Sequence, residues 1–344
     1  MSLGSKCARP FQGFLHSESD EPTPSLTLSL ENIKALALGR NLRFMRRICS
    51  IRQYIKVIRA ALHPSVFPFL SFAPPGHFYS PIPRLQDSHG PDVLLDAAWA
   101  GGSGLDLCDA AQVRLLAELS KSYAELPAWD RVASQRRYSF QNSWFKDGDA
   151  IVLYGMLRSF YPKKIIEIGS GFSSAAMLDV NDQFLGHSVK FTFIEPNPER
   201  LRTLLREPDL ADVAVIEKPV QEVPPYLFRE LEANDVLFVD SSHIAKLGSD
   251  VNHIVFNILP QLKPGVLVHF HDIRWPFEYP RSTTEMGIAW NDAYFLRAFL
   301  MFNGAFRIRF FNSYMAELHA ELIRKEMPRF MNWPGGSIWI QRIQ

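Results

Sequence analysis

The stretch from Lys164 to Ser174, Lys-Ile-Ile-Glu-Ile-Gly-Ser-Gly-Phe-Ser-Ser, constrains what this chain can fold into more than any other. Ile165, Ile166 and Ile168 are β-branched and apolar, as a strand covered on both faces requires. Gly169 and Gly171 let the backbone turn sharply and come close to a ligand. Ser173 or Ser174 can cap a helix running on through Ala175, Ala176, Met177 and Leu178, so that free N–H groups point back at the turn. Strand, turn and helix in this order make a seat for a small polar ligand.

Downstream, strands and helices alternate. Residues 189–194 read as a second strand ending in Glu195-Pro196-Asn197-Pro198, and a helix through Glu199, Leu201, Leu204 and Leu205 follows. Residues 213–216 and 235–240 read as the third and fourth strands, with Ser241-Ser242-His243 on the turn after the fourth. A helix is expected over 251–262. Lys263-Pro264-Gly265 then turns into a fifth strand, 266–270, leading to His271-Asp272, and 306–311 and 337–343 read as the last two. Such alternation implies a mostly parallel sheet flanked by helices, with ligands bound at the carboxyl ends of its strands. Gly171, Glu195, Asp240 and Asp272 all fall at those ends.

Upstream, residues 1–25 are polar and rich in Ser, Pro and Glu, the composition of a loose tail. Residues 29–62 have helical spacing, and Arg40, Arg43, Arg46, Arg47, Arg52, Lys56 and Arg59 are interleaved with aliphatic and aromatic residues. The expected reading is an amphipathic helix packed on its own domain, with a membrane-surface helix as the alternative. Repeated prolines between 63 and 91 block helix, so an ordered loop or extended arm is expected, either lying on the domain surface or serving as a lid. Helices are expected over 109–126 and 147–160, and Tyr138, Asn142 and Phe145 between them either line a pocket or form a linker. The expected division is a tail, 1–25, a helical and Pro/aromatic-rich extension or lid, 26–146, and the ligand-binding α/β domain, 147–344.

An apolar fraction of 47% over 344 residues is ample for a packed core. Lys plus Arg (37) nearly balance Asp plus Glu (36), so no global basic field calls for nucleic acid. Cys7, Cys49 and Cys108 form no paired framework and read as bystanders in a reducing compartment. No run approaches the ~18 apolar residues of a membrane span, and the first residues lack the pattern of a signal peptide, so a cytoplasmic protein is expected.

No Gly-Lys-Ser/Thr ending is present for a phosphate-gripping loop, and Gly169-x-Gly171-x-x-Ser174 lacks the third glycine of a dinucleotide fingerprint. Glu195, ending the second strand, can accept hydrogen bonds from both hydroxyls of a ribose. Glu167, just before the turn, would repel a pyrophosphate but suits a ligand with a cationic amino-acid end. S-adenosylmethionine is such a ligand.

Glu167-Ile168-Gly169-Ser170-Gly171, Ile194-Glu195-Pro196, Leu237-Phe238-Val239-Asp240 and Lys263-Pro264-Gly265 resemble successive motifs of the class I S-adenosylmethionine-dependent methyltransferases. More narrowly, residues 78–83, Asp240-Ser241-Ser242-His243, Gly248-Ser249-Asp250-Val251 and His269-Phe270-His271-Asp272-Ile273 resemble a bacterial methyltransferase family associated with glycan and natural-product modification. The resemblance implies a Rossmann-like, seven-stranded methyltransferase sheet behind a mainly helical N-terminal extension. It further implies that Gly169, Ser170 and Gly171 approach the methionine end of the cofactor, that Glu167 holds its ammonium through water or directly, that Glu195 binds the ribose, and that Asn197 and Asp240 lie nearby. Methyl transfer to a hydroxyl of a sugar, polyol or natural product follows as the expected activity, with a small-molecule or glycan acceptor; a homo-oligomer is compatible with it.

Two arrangements could assist the transfer. By analogy with metal-dependent O-methyltransferases, Asp240, Asp272 and His271 could hold Mg²⁺ or another divalent cation that acidifies the acceptor hydroxyl, although Ser242 stands where relatives often carry an acid. Otherwise His243 or His271, with Asp272, acts as the base without metal. His269 and His271 alternate onto one side of the fifth strand. Tyr279, Glu278 and Trp290 either shape the acceptor pocket or simply pack. The rival functions are an NAD-dependent oxidoreductase and a non-catalytic binding module that keeps the fold.

Overall fold

A computed structural model of the protein describes residues 51–87, 104–130 and 136–344. The expected tail, the arginines from Arg40 to Arg47, Cys7 and Cys49 lie outside them. The chain divides into two compact units, residues 1–74 and 75–344.

Seven strands, β1 (Lys164–Ile168), β2 (Lys190–Ile194), β3 (Val213–Ile216), β4 (Val236–Val239), β5 (Leu267–Phe270), β6 (Phe306–Phe311) and β7 (Ile338–Arg342), form one sheet in the order β3-β2-β1-β4-β5-β7-β6. Pairing is parallel from β3 through β5, and β7 runs antiparallel between β5 and β6. The expected mostly parallel α/β sheet is therefore present. The central strands are aliphatic and aromatic on both faces, and every residue of β4 and β5 is buried. Strand order reverses between β1 and β4, opening a crevice at their carboxyl ends.

The helix Asp147–Phe160, buried over Asp147 to Leu157, packs on Phe172–Phe184 and on Asp109–Ser120. Asp109–Ser120 also packs on β6, so it belongs to the α/β unit. The link from this helix to the site is held by Arg137, whose guanidinium, 3% exposed, pairs with Asp179 (3.1 Å), Asp182 (2.7 Å) and Asp209.

Three expectations need correction. A short helix, Phe67–Phe72, forms inside the Pro-rich segment, because Pro68 sits in its first turn, where a missing N–H costs nothing. The helix expected over 251–262 is a single α-turn, Asp250–His253, followed by a π-turn, Ile254–Ile258, and a 3₁₀ turn, Leu259–Gln261, that accommodates Pro260. Between Arg281 and Glu326 lie four helices that the sequence reading did not anticipate, among them Asp292–Leu300.

Candidate active site

Gly169 has φ +78°, and a Cβ added there would overlap the carbonyl oxygen of Asp240. The turn after β1 and the end of β4 are thus in backbone contact at the switch point, and only glycine fits between them. Beyond this contact opens a cavity of about 290 Å³, lined by the turn Gly169-Ser170-Gly171, by Glu195, Asp240, His243, His271 and Asp272, and by the aromatic rings of Trp144, Phe145 and Trp290. All four strand-end residues named from the sequence, Gly171, Glu195, Asp240 and Asp272, line it.

Ser170 presents the clearest mark of a ligand seat: its Oγ is buried without a hydrogen-bond partner. Its N–H donates to Glu195 Oε2 (3.2 Å), and the N–H of Asn197 donates to Oε1 (2.8 Å). Both bonds orient the Glu195 carboxylate, whose remaining lone pairs are free to accept from a ligand. Asn197 itself is exposed and its side chain does not line the cavity, so its contribution is the backbone N–H.

Glu167, expected to hold a ligand ammonium through water or directly, is not among the residues lining the cavity. It is fully buried beneath the turn, away from the cavity lining, and accepts hydrogen bonds from the hydroxyls of Ser173 (2.5 Å) and Ser174. Ser174 Oγ in turn accepts the N–H of Gly171 (2.9 Å). Burial pushes the Glu167 carboxyl up to about 8 against the donating serines. Its visible work is to pin the glycine turn to the following helix.

His243 sits at φ +62° on the turn after β4. Asp250 secures that turn by accepting the N–H (2.7 Å) and hydroxyl (2.6 Å) of Ser242. The imidazole is buried against Trp290, 4.3 Å between ring centroids, with Nδ1 2.9 Å from Asp292 Oδ2 and Nε2 3.3 Å from Asp240 Oδ1. Tyr279 donates its hydroxyl to the other oxygen of Asp292. Burial opposes charge on His243, yet the two carboxylates outweigh it and raise the imidazole to about 10. Both ring nitrogens of His243, one of the bases expected from the sequence, are thus taken up by carboxylates.

His271 lines the cavity beside Phe145, and its Nδ1 is buried without a partner. Burial works against its charge, but the carboxylates of Asp272, Asp240 and Asp149 together lift its proton affinity above the ordinary histidine value. Asp149, on the helix Asp147–Phe160, is enclosed by Asn312 Nδ2 (3.3 Å), the N–H of Gly336 (3.2 Å) and the hydroxyl of Ser337, and burial raises its carboxyl to about 6. Asp272 has φ +56°, and a Cβ on Gly336 would stand 3.0 Å from its Cα, so the 335–337 turn supports the end of β5. His269 stacks on Phe238 at 3.8 Å and on His271 at 5.7 Å, on the same side as His271 as alternation demanded. Full burial holds it neutral, away from the cavity.

The divalent-metal arrangement does not fit. Among the described residues no group of three or more His, Cys, Asp or Glu side chains could hold an ion. Asp240, the expected first ligand, already faces the imidazolium of His243, and Ser242 points to Asp250.

The loop before the helix Asp147–Phe160 was only partly legible. Tyr138 is buried and donates to the Phe145 carbonyl (2.6 Å), while Asn142 Oδ1 accepts the N–H groups of Trp144 (2.9 Å) and Phe145 (2.7 Å). Both build the loop, and Phe145 alone of the three expected residues lines the cavity. Trp144 lies under the Arg200 guanidinium, 4.6 Å from its ring centroid, at the cavity edge. The exposed aromatics Phe78 and Tyr79 do not line it.

A family model described as a methyltransferase domain matches residues 166–273, which span β1 to the end of β5 and hold all the strand-end residues above. An uncharacterized protein of Archaeoglobus fulgidus is 32% identical over 168 residues, covering 47% of this chain and 74% of that protein. Among solved structures, the SAH-bound methyltransferase PaMTH1 of Podospora anserina is 15% identical, with 67% of this chain and 88% of that one covered and a TM-score of 0.37. The O-methyltransferase TomG of Streptomyces achromogenes is 15% identical, with 67% and 90% covered and a TM-score of 0.36. With its switch-point crevice and the motifs that line it, the chain belongs to the methyltransferase-domain family.

Proposed function

We propose that the protein is an S-adenosylmethionine-dependent methyltransferase acting on a hydroxyl of a sugar, polyol or other small molecule. The observation that carries the cofactor assignment is the Gly169-Ser170-Gly171 turn at the switch point, with the unpartnered Ser170 hydroxyl and the oriented Glu195 carboxylate on one wall of the same cavity. S-adenosylmethionine, when bound, supplies a methyl group on an electrophilic sulfonium. Glu195 is placed to accept ribose hydroxyls, and the turn offers its backbone and the Ser170 hydroxyl to the amino-acid end. Asp240, kept anionic by His243, puts negative charge on the wall facing a cationic ligand.

For the acceptor, an in-line displacement needs orientation and removal of one proton. His271 and Asp272 border the cavity together, and the unpartnered Nδ1 of His271 is the ring nitrogen that can take the proton of an acceptor hydroxyl. Trp144, Phe145 and Trp290 give the same space flat apolar walls, a surface on which a sugar or polyketide ring can pack.

Calorimetry tests the cofactor. S-adenosylmethionine is expected to bind and NAD not. Glu195→Ala should weaken S-adenosylmethionine by about tenfold or more, the worth of one charge-assisted hydrogen bond, while Ser242→Ala should leave the affinity within about twofold. Binding of NAD alone, or equal losses in the two variants, would overturn the assignment.

A further inference from the structure

From Asn32 to Gln86 the sequence contains nine Lys or Arg and not one Asp or Glu, in a chain whose total charge is only +1. The rest of the protein is therefore net acidic, while this one segment carries nine cationic side chains with no acid among them. Two helices are described in it, Ile51–Ala61 and Phe67–Phe72. In the first, Ile55, Ile58 and Leu62 just beyond it recur at helical spacing on one side, with Lys56 and Arg59 along its flank. Every residue from 55 to 60 is exposed, as are Leu62 (64%), Phe67 (50%) and Phe69 (73%). Among the described residues of its own unit, none covers that aliphatic stripe.

We infer that residues 55–72 form a docking surface for an anionic lipid bilayer. Aliphatic and phenylalanine side chains beside lysine and arginine suit a helix lying in the interface, its apolar edge among the acyl chains and its cations among the headgroups. Eleven residues span about 16 Å, roughly half a hydrocarbon core, so the helix lies along the surface and does not cross it. Phe67 and Phe69, on a short helix started by Pro68, give a second apolar anchor close by in sequence. Single-stranded nucleic acid is the weaker fit, because the exposed apolar side of the longer helix, Ile55, Ile58 and Leu62, is aliphatic, and only Phe67 and Phe69 beyond it offer rings on which a base could stack.

Co-sedimentation of the full-length protein with vesicles tests this. Vesicles of equal parts phosphatidylcholine and phosphatidylglycerol should bind at least tenfold tighter than phosphatidylcholine alone, and the difference should shrink as salt is raised. The double variant Lys56→Gln, Arg59→Gln should weaken binding about thirtyfold, for two cations removed from the surface. Phe67→Ser with Phe69→Ser should weaken it at unchanged charge, which a purely electrostatic contact would not. Melting temperatures equal to the unmodified protein's show that the variants are folded, independently of whether the α/β unit binds S-adenosylmethionine. No preference for anionic vesicles, unaltered binding in both variants, or retention on a single-stranded oligonucleotide without vesicle binding would each overturn the inference.

Discussion

The Nδ1 of His243 lies 2.9 Å from Asp292 Oδ2, joining the turn after β4 to the first residue of a helix 49 positions away in sequence. The backbone repeats the link, since the His243 carbonyl accepts the N–H groups of Asn291 (3.0 Å) and Asp292 (3.3 Å). With Asp240 on Nε2, both ring nitrogens face acceptors, the arrangement in which the doubly protonated ring donates twice. Its folded-state value of about 10 lies above the ordinary 6.5, so its contribution to stability is complete below pH 6.5 and is lost as pH rises through about 10. Thermal unfolding should show the melting temperature falling across that window. Asp292→Asn should start the fall at lower pH and cost roughly 3–5 kcal/mol at neutral pH, as when one partner of a buried pair is removed. An unshifted window would mean that the pair is not ionic.

The same pairing gives an expectation about metal. Because an imidazolium already faces Asp240, methyl transfer to any acceptor found should be unchanged by a chelator and unstimulated by Mg²⁺ or Mn²⁺. Activity lost on chelation and restored by Mg²⁺ would show that His243 yields its place to an ion. Chelator-sensitive rates are the direct readout.

The two glycines of the turn should respond differently to a methyl group. At Gly169 the left-handed backbone and the overlap with the Asp240 carbonyl act together, so Gly169→Ala should cost roughly 3 kcal/mol or more, measured by chemical denaturation. At Gly171 a Cβ would stand 3.4 Å from Arg200 Cδ, the flexible side chain of an exposed residue. Gly171→Ala should therefore fold, with any loss confined to cofactor affinity.

The strands were legible because runs such as Lys164–Ile168 and Val236–Val239 are short, apolar and bounded by turn residues. Residues fixed by their place at a strand end, Glu195, Asp240, His271 and Asp272, were legible for the same reason. Trp144 was not, since it reaches the site from an irregular segment whose path no periodicity encodes; Asp292 opens a helix the spacing did not reveal, and Arg200 stands on an expected helix whose spacing does not tell that its guanidinium lies over Trp144. Glu167 shows a further limit. On a strand buried on both faces, alternation does not tell which side meets the ligand, and no spacing shows that the carboxylate just before the turn takes Ser173 and Ser174 as partners.

That carboxyl supplies its own test. Glu167 is raised from an ordinary 4.5 to about 8 by burial, so its folded form prefers the proton. Its sign follows: the favourable contribution is complete below pH 4.5 and is lost as pH rises through about 8, where ionisation beneath the turn must be tolerated. Glu167→Gln keeps the shape and a carbonyl acceptor for one serine, and its amide N–H can donate to the other. At pH 4 the variant should melt close to the unmodified protein; at pH 8 it should be the more stable of the two, by an amount on the order of a few kcal/mol. Asp149, also buried and raised to about 6, adds a loss of the same sign that both proteins share, so only the difference between the two curves reports on Glu167. Parallel curves from pH 4 to pH 8 would show that the carboxyl ionises in place, with the hydroxyls of Ser173 and Ser174 sufficient to hold the charge.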